Sequence, residues 1–148
     1  MSAVPVSIAR KVDARDGYAC VRCGASLTVT AGSRHHRQRR RVGGHTTENL
    51  VLLCGSGTTG CHGWVHANPA AARAAGYIVP ANGRATPADI PVLYWAPGVA
   101  SNFADHVWYD LDGSGGRERR SEVEALEVLA VFGLLQHELT GGGGTWRA

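Results

Sequence analysis

Apolar positions along this chain come in short runs whose period changes from segment to segment, with glycine-rich breaks between them. Residues 5–15 predict a helix: Pro5 opens it, Val6, Ile8, Ala9 and Val12 form an apolar stripe, and Gly17 ends it. Stretches 27–30 and 34–37 predict strand pieces around a turn at Gly32, and 38–47, which contains Gly43-Gly44, predicts a loop. Asn49-Leu50-Val51-Leu52-Leu53 is a continuous apolar run of strand length, halted by the glycine-rich stretch 55–60. Residues 61–68 suit a helix, and Pro69 can open another short one through Ala75, capped by Gly76.

Further on, 90–95 and 107–111 predict two more strands, which place Trp95 and Trp108 in the core; Trp64 is expected to pack inward. Asp112-Gly113-Ser114-Gly115-Gly116 separates these strands from a C-terminal helix over 118–138. Leu126, Val128, Leu129, Val131, Phe132, Leu134 and Leu135 are spread around that helix, and a helix apolar on several sides is a buried one. It packs across the domain or pairs with a copy of itself, the first being favoured; monomer and homodimer both stay open. The pattern is that of an α+β chain: a core over 1–76, an extension of short strands plus a helix over 77–140 packed on it, and a flexible tail at 141–148.

Composition narrows the setting. No run of 18 or more apolar residues exists in the 148, so no membrane span is expected. The N-terminal segment lacks the long apolar core of a signal peptide, so the expected compartment is the cytoplasm. There, four cysteines stay reduced and suit metal ligation better than disulfides. The formal charge is only +3, yet Arg34, Arg37, Arg39, Arg40 and Arg41 crowd around two adjacent histidines while acidic residues gather in the last third. Guanidinium forks match phosphate geometry, so the cluster suggests a nucleic-acid backbone as partner. The plainer alternative is a solvated basic loop.

Chemistry concentrates in residues 20–66. Cys20 and Cys23, followed some thirty residues later by Cys54 and Cys61, form a zinc-knuckle pattern in which two tight turns each offer two thiolates. The second pair is wide, with six residues between its members, but three of those are glycines and ease the reversal. A unit this small rarely gains more than ~3–5 kcal/mol from its core. A thiolate zinc site contributes an apparent ~10–16 kcal/mol at neutral pH, so a structural Zn²⁺ would dominate the folding energy.

His62 and His66 stand four apart, on one face of a helix about a turn from each other, a spacing that clamps a divalent cation. Cys61 immediately precedes them and would pin the start of their helix. His35 and His36 are adjacent, so on a regular strand they point to opposite faces and divide their roles: one ligates and the other works as a general base. Asn49 can cross-link the loop through its side-chain amide. His45 is expected to be solvent-exposed, and Asp105-His106 to be a strand-edge pair without metal chemistry, since the next histidine, His137, is far downstream.

His35-His36-Arg37, Gly43-Gly44, Asn49-Leu50 and the stretch from Cys54 to His66, interleaved with Cys20 and Cys23, resemble in order the HNH endonuclease superfamily, most closely the small cysteine-bearing members found in phages and prophages. The resemblance covers about residues 15–76 and, more loosely, the stretch from Tyr109 to Gly113. It implies a ββα-metal fold stapled by a four-cysteine zinc site, with His36 as general base, Asn49 ordering the loop, and His35, His62 and His66 holding a catalytic divalent ion such as Mg²⁺, Mn²⁺, Ni²⁺ or Zn²⁺. It further implies a metal-dependent DNA endonuclease of low sequence specificity that leaves 5′-phosphate and 3′-hydroxyl ends, with the five arginines on the DNA backbone. A phage-encoded relative would act in the host cytoplasm, with terminase or other packaging proteins as partners. The alternative is a non-catalytic, zinc-stapled nucleic-acid-binding module.

Overall fold

The computed structural model describes residues 3–97 and 105–135. Helix α1 (Val6–Arg15) precedes an antiparallel pair of strands, β1 (Gly32–His36) and β2 (Leu50–Cys54), whose connection contains one helical turn, α2 (Arg40–Gly43). Helices α3 (Gly60–Ala67) and α4 (Pro69–Ala74) follow. A second sheet holds β3 (Val92–Trp95), β4 (His106–Leu111) and β5 (Arg117–Arg120) in that order, all antiparallel, and α5 (Glu122–Val131) comes after it. The chain is thus mixed α+β with two small sheets, and no helix among the described residues is long and apolar enough to cross a membrane.

Strand β2 explains the architecture. Its apolar run is continuous because both of its faces are covered, and alternation appears only when one face meets water. Leu50 and Leu52 pack with Val12 and Ile8 of α1, whereas Val51 and Leu53 pack with Cys61 and Val65 of α3. That second cluster runs on through Ala72, Tyr77, Val92, Tyr94 and Leu111, so one buried surface joins the first 76 residues to the second sheet. A separate cluster seats Ala125 and Leu129 of α5 on Ile90 and Trp108. Intramolecular packing of the C-terminal helix is therefore what the described part shows.

Several expectations need correction. No strand forms over 27–30: the segment turns, Leu27 drops into the core, and only an Ala19–Ser26 bridge pairs there. Val6 is solvent-exposed, because Ile8 and Val12 define the buried face of α1. The final helix starts not at Glu118 but after Ser121, whose hydroxyl and the Glu124 carboxylate form a capping box. Residues 117–120 instead make edge strand β5, with Arg120 paired to Asp110 across the hairpin and the Arg117 guanidinium over the Tyr94 and Tyr109 rings. Trp108 is buried, but Trp95 is 37% exposed and lies over Gly24 of the cysteine turn. The end of the expected helix, His137 and the tail at 141–148 lie outside the described residues.

Two guanidiniums sit in the interior. Arg15 bonds Asp16, Thr47 O and Leu50 O, while Asp16 accepts from the Leu52 N–H and the Tyr94 hydroxyl, which ties α1, β2 and β3 together. Arg37, 1% exposed, donates to four carbonyls, those of Gly76, Glu48, Pro87 and Ile90, at 2.6–2.9 Å. Burial pulls its pKa down to about 9, which leaves it charged at neutral pH. Arg37 is a structural staple whose donors go to backbone carbonyls, where the sequence suggested a guanidinium directed at a phosphate backbone. Replacing it by Met keeps an aliphatic stem but leaves those carbonyls unpaired. Arg37→Met should lose about 3 kcal/mol or more of unfolding free energy, read from urea midpoints, with Arg41→Met unchanged as the control. An unshifted midpoint for Arg37→Met would remove the stapling role.

Candidate metal centres

The four cysteines come from three places. Cys20 and Cys23 lie on the turn after α1, Cys54 ends β2, and Cys61 is the second residue of α3. Their sulfurs all lie within 4.8 Å of one another. Cys23 Sγ and Cys54 Sγ are 3.8 Å apart. A disulfide would bring them to about 2.05 Å. Four thiolates about 2.3 Å from a zinc ion form a tetrahedron with an edge of about 3.8 Å, which matches the observed separation. The wide Cys54–Cys61 spacing is absorbed by a tight reversal in which Gly55 and Gly60 both have positive φ, +81° and +61°. A Cβ on Gly55 would collide with the Thr59 carbonyl, so the loop requires glycine there.

Polar hydrogens already point at this sulfur cluster. The Cys61 N–H donates to Cys54 Sγ, and Arg22 Nη1 donates to Cys61 Sγ, each at 3.4 Å. Burial pushes the Cys20 and Cys61 thiols up; at Cys54 burial pushes the same way, but hydrogen bonds from the Cys61 N–H and the neighbouring cysteines together outweigh it and draw the pKa down. Buried thiols that sit in contact and resist ionisation need a cation to become thiolates. The four cysteines can hold a metal such as zinc.

The second cluster is built from imidazoles. Register pairs His35 with Val51 and Ser33 with Leu53, so Ser33 and His35 share the face that α3 covers. On α3, Cys61 and Val65 turn to the core and the adjacent stripe, His62 and His66, meets β1. Ligand nitrogens of His35, His62 and His66 lie within 4.8 Å of one another, and the ring centroids form a triangle of 4.9, 4.9 and 5.5 Å. Three imidazoles on one tetrahedral ion have centroids about 5.2 Å apart, from metal–nitrogen bonds of about 2.05 Å.

The outer contacts fix which nitrogens face inward. His35 Nε2 lies 2.8 Å from the Tyr77 carbonyl, which can only accept, so Nε2 carries the proton and Nδ1 keeps its lone pair. Ser33 donates its hydroxyl hydrogen to the Gly55 carbonyl, so its oxygen accepts from His62 Nδ1–H at 2.6 Å and His62 Nε2 is left as ligand. A ring N–H held by a carbonyl or hydroxyl is the usual support for a metal-binding histidine. Burial holds His35 down to about 3, and burial followed by the charge of His66 lowers His62. Both are therefore neutral ligands at pH 7. The donor set and its supports fit a divalent ion.

His36 lies on the opposite strand face and does not join the trio. Its Nε2 is 3.0 Å from His45 Nδ1, so His45 is a partner and not the bare solvated side chain expected. Burial first, then the charges of His45 and Arg40, hold His36 below the ordinary imidazole value, which suits a proton acceptor at neutral pH. Asn49, fully buried, accepts the Gln38 N–H at Oδ1 and donates from Nδ2 to the Gln38 and Gly44 carbonyls, so it cross-links the loop as expected. Asp105 and His106 join neither of the two clusters found among the described residues; His106 opens β4 against Arg22 O and Trp95.

Both faces of β1 meet at its end in one open cleft of about 740 Å³, lined by His35, His36, His62 and His66 with Arg34, Arg39 and Arg73, and walled on the far side by 78–82. None of the described residues that line it is acidic. Arg34 is forked onto Asp13 at the cleft edge, Arg40 and Arg41 lie on α2, and Arg73 comes from α4. Sequence reasoning missed Arg73, Ser33 and His45. Nothing in the sequence separates Arg73 from any exposed helical arginine, whereas strand alternation from His35 to Ser33 could have pointed to the serine. Compared with known proteins, the chain matches no family model, no curated protein and no solved structure.

Two outcomes follow from the thiol and imidazole clusters. The purified chain should carry a zinc equivalent that Cys20→Ser loses together with its folded circular-dichroism signal; a folded, zinc-free Cys20→Ser would disprove the staple. In acid, the unfolded chain binds a proton at His35 that the folded chain refuses. Stability without added ion should therefore decline as pH drops below 6.5 and keep declining toward about 3. His35→Gln should flatten this part of the profile, and identical urea midpoint profiles for the two proteins would count against a neutral buried His35.

Proposed function

We propose that this chain is a metal-dependent endonuclease of the HNH type, which hydrolyses phosphodiester bonds of DNA. What carries the proposal is one juxtaposition: three convergent imidazoles and a separate, hydrogen-bonded fourth line a cleft that bears arginines and, among the described residues that line it, no carboxylate. A cationic cleft selects a polyanion, and an all-nitrogen ligand set beside a neutral imidazole suits hydrolysis. The order of elements supports the same proposal: two antiparallel strands then a helix, with His35 and His36 on β1, Asn49 before β2, and His62 and His66 on α3.

Arg39 and Arg73, which no ion pair among the described residues engages, would bind non-bridging oxygens of the backbone, with Arg34 at the edge. Such contacts position the strand without reading bases, so low sequence specificity follows. His36 takes the proton of the attacking water at the nitrogen not bonded to His45. The water oxygen forms a bond to phosphorus as the bond to the 3′ oxygen breaks; the departing oxygen takes a proton from solvent water and His36 later returns its own to solvent, giving a 5′-phosphate and a 3′-hydroxyl. A divalent ion on His35, His62 and His66 would supply Lewis-acid stabilisation of the charge that develops on the phosphate and the departing oxygen. Three imidazole nitrogens favour Zn²⁺ or Ni²⁺ over Mg²⁺, which prefers oxygen donors.

Conversion of supercoiled plasmid to nicked circles tests the proposal, with Mg²⁺, Mn²⁺, Ni²⁺ and Zn²⁺ in parallel and EDTA as control. Nicking should require the ion, and His36→Ala should lose about 10²-fold or more in rate while keeping metal content and DNA affinity. Full activity in His36→Ala would remove the assigned base. DNA binding without cleavage in every ion would leave a zinc-stapled binding module in place of an enzyme.

A further inference from the structure

If His36 is the base, one of its two nitrogens must face the water without a proton, and the partner of the other nitrogen decides which. That partner is His45, whose Nδ1 is 3.0 Å from His36 Nε2, with ring centroids 5.1 Å apart. We propose that His45 is a positioning residue: its Nδ1 accepts the hydrogen of His36 Nε2 and so holds His36 Nδ1 unprotonated for the attacking water. The inference rests on the nuclease reading for its consequence, but not for its geometry.

The fate of the proton selects this direction of the bond. When His36 accepts a proton at Nδ1 it becomes an imidazolium with hydrogens on both nitrogens. Its Nε2–H still points at the lone pair of His45 Nδ1, and the bond becomes charge-assisted and stronger. In the opposite arrangement His45 Nδ1–H donates to His36 Nε2, and the proton of His36 already occupies Nδ1. The nitrogen facing the water then has no lone pair to offer, and the rings would have to reorganise before any proton moved.

The fold holds His45 in place through its neighbour. Helix α2 ends at Gly44, with φ +67°, and the Gly44 carbonyl receives the Asn49 amide at 2.9 Å. Asn49 is itself fully buried and locked to both backbone groups of Gln38, close to His36 in sequence. Gly43 lets this amide approach, since a Cβ there would stand 2.5 Å from Asn49 Nδ2. A line of support thus runs from Asn49 through Gly44 to His45 and then His36.

Nitrogen-15 spectra of the imidazoles in the full, zinc-loaded chain, recorded above the histidine titration range, read the proton position directly. The wild type should show His36 protonated at Nε2 and bare at Nδ1, and His45→Ala should turn this into a mixture of tautomers. In plasmid nicking, His45→Ala should lower kcat about 10- to 100-fold with KM for DNA and metal content unchanged. His45→Asn, whose amide oxygen stands near the place of Nδ1, should recover most of that loss. A wild-type His36 proton on Nδ1, or a His36 tautomer indifferent to His45→Ala, overturns the proposal whether or not the chain cuts DNA. Absence of nicking in the wild type with the tautomers as stated would instead bring down the nuclease reading and leave the pairing standing.

Discussion

Four sulfurs crowded within 4.8 Å of one another set the terms for the rest of the first half of the chain. They bring together the turn after α1, the end of β2 and the first turn of α3, segments that also share the buried cluster of Val21, Val51, Leu53 and Val65. With Cys61 held there, the phase of α3 is determined: Cys61 and Val65 face the core, and the next stripe presents His62 and His66 to β1. The imidazole cluster thus depends on the thiol cluster, although the two sets of ligands share no residue. The glycines between Cys54 and Cys61 serve the same constraint, because only a left-handed reversal brings the second pair together in so short a span.

A second constraint separates the arginines by task. Arg15 and Arg37 are drawn inside, where backbone carbonyls replace water as their solvent; Arg15 ties Thr47 to the start of β2, and Arg37 ties together the connections at Gly76, Pro87 and Ile90. Burying a guanidinium is costly unless its donors are satisfied, and here backbone carbonyls meet that condition. Arg39 and Arg73 stay in the cleft with Arg34 at its edge, and the buried Arg37 borders it as well. A run of arginines in the sequence is therefore two populations in the fold.

Much of the site was legible beforehand because its signals are local. Cysteine spacing, the four-residue step from His62 to His66, and the strand alternation that divides His35 from His36 are consequences of helix and strand geometry alone. The capping box at Ser121-Glu122-Val123-Glu124 was just as local, and starting the helix at Glu118 overlooked it. Those four charged residues form an edge strand because a hairpin turn built on Asp112 delivers them to β4, where Asp110 and two tyrosine rings meet the arginines. Pattern could not show this, since a polar edge strand buries nothing that would mark its period.

By itself the sequence determined which residues could be ligands and where most of the helical and extended segments lie. These depend on composition and on spacing within a few residues. Only the tertiary structure decided that Arg37 is interior, that Ser33 and the Tyr77 carbonyl orient His62 and His35, and that His45 stands behind His36. Each of those facts joins groups far apart along the chain or on different elements. Their distances are fixed by how β1, β2 and α3 pack, and nothing in local spacing encodes that packing.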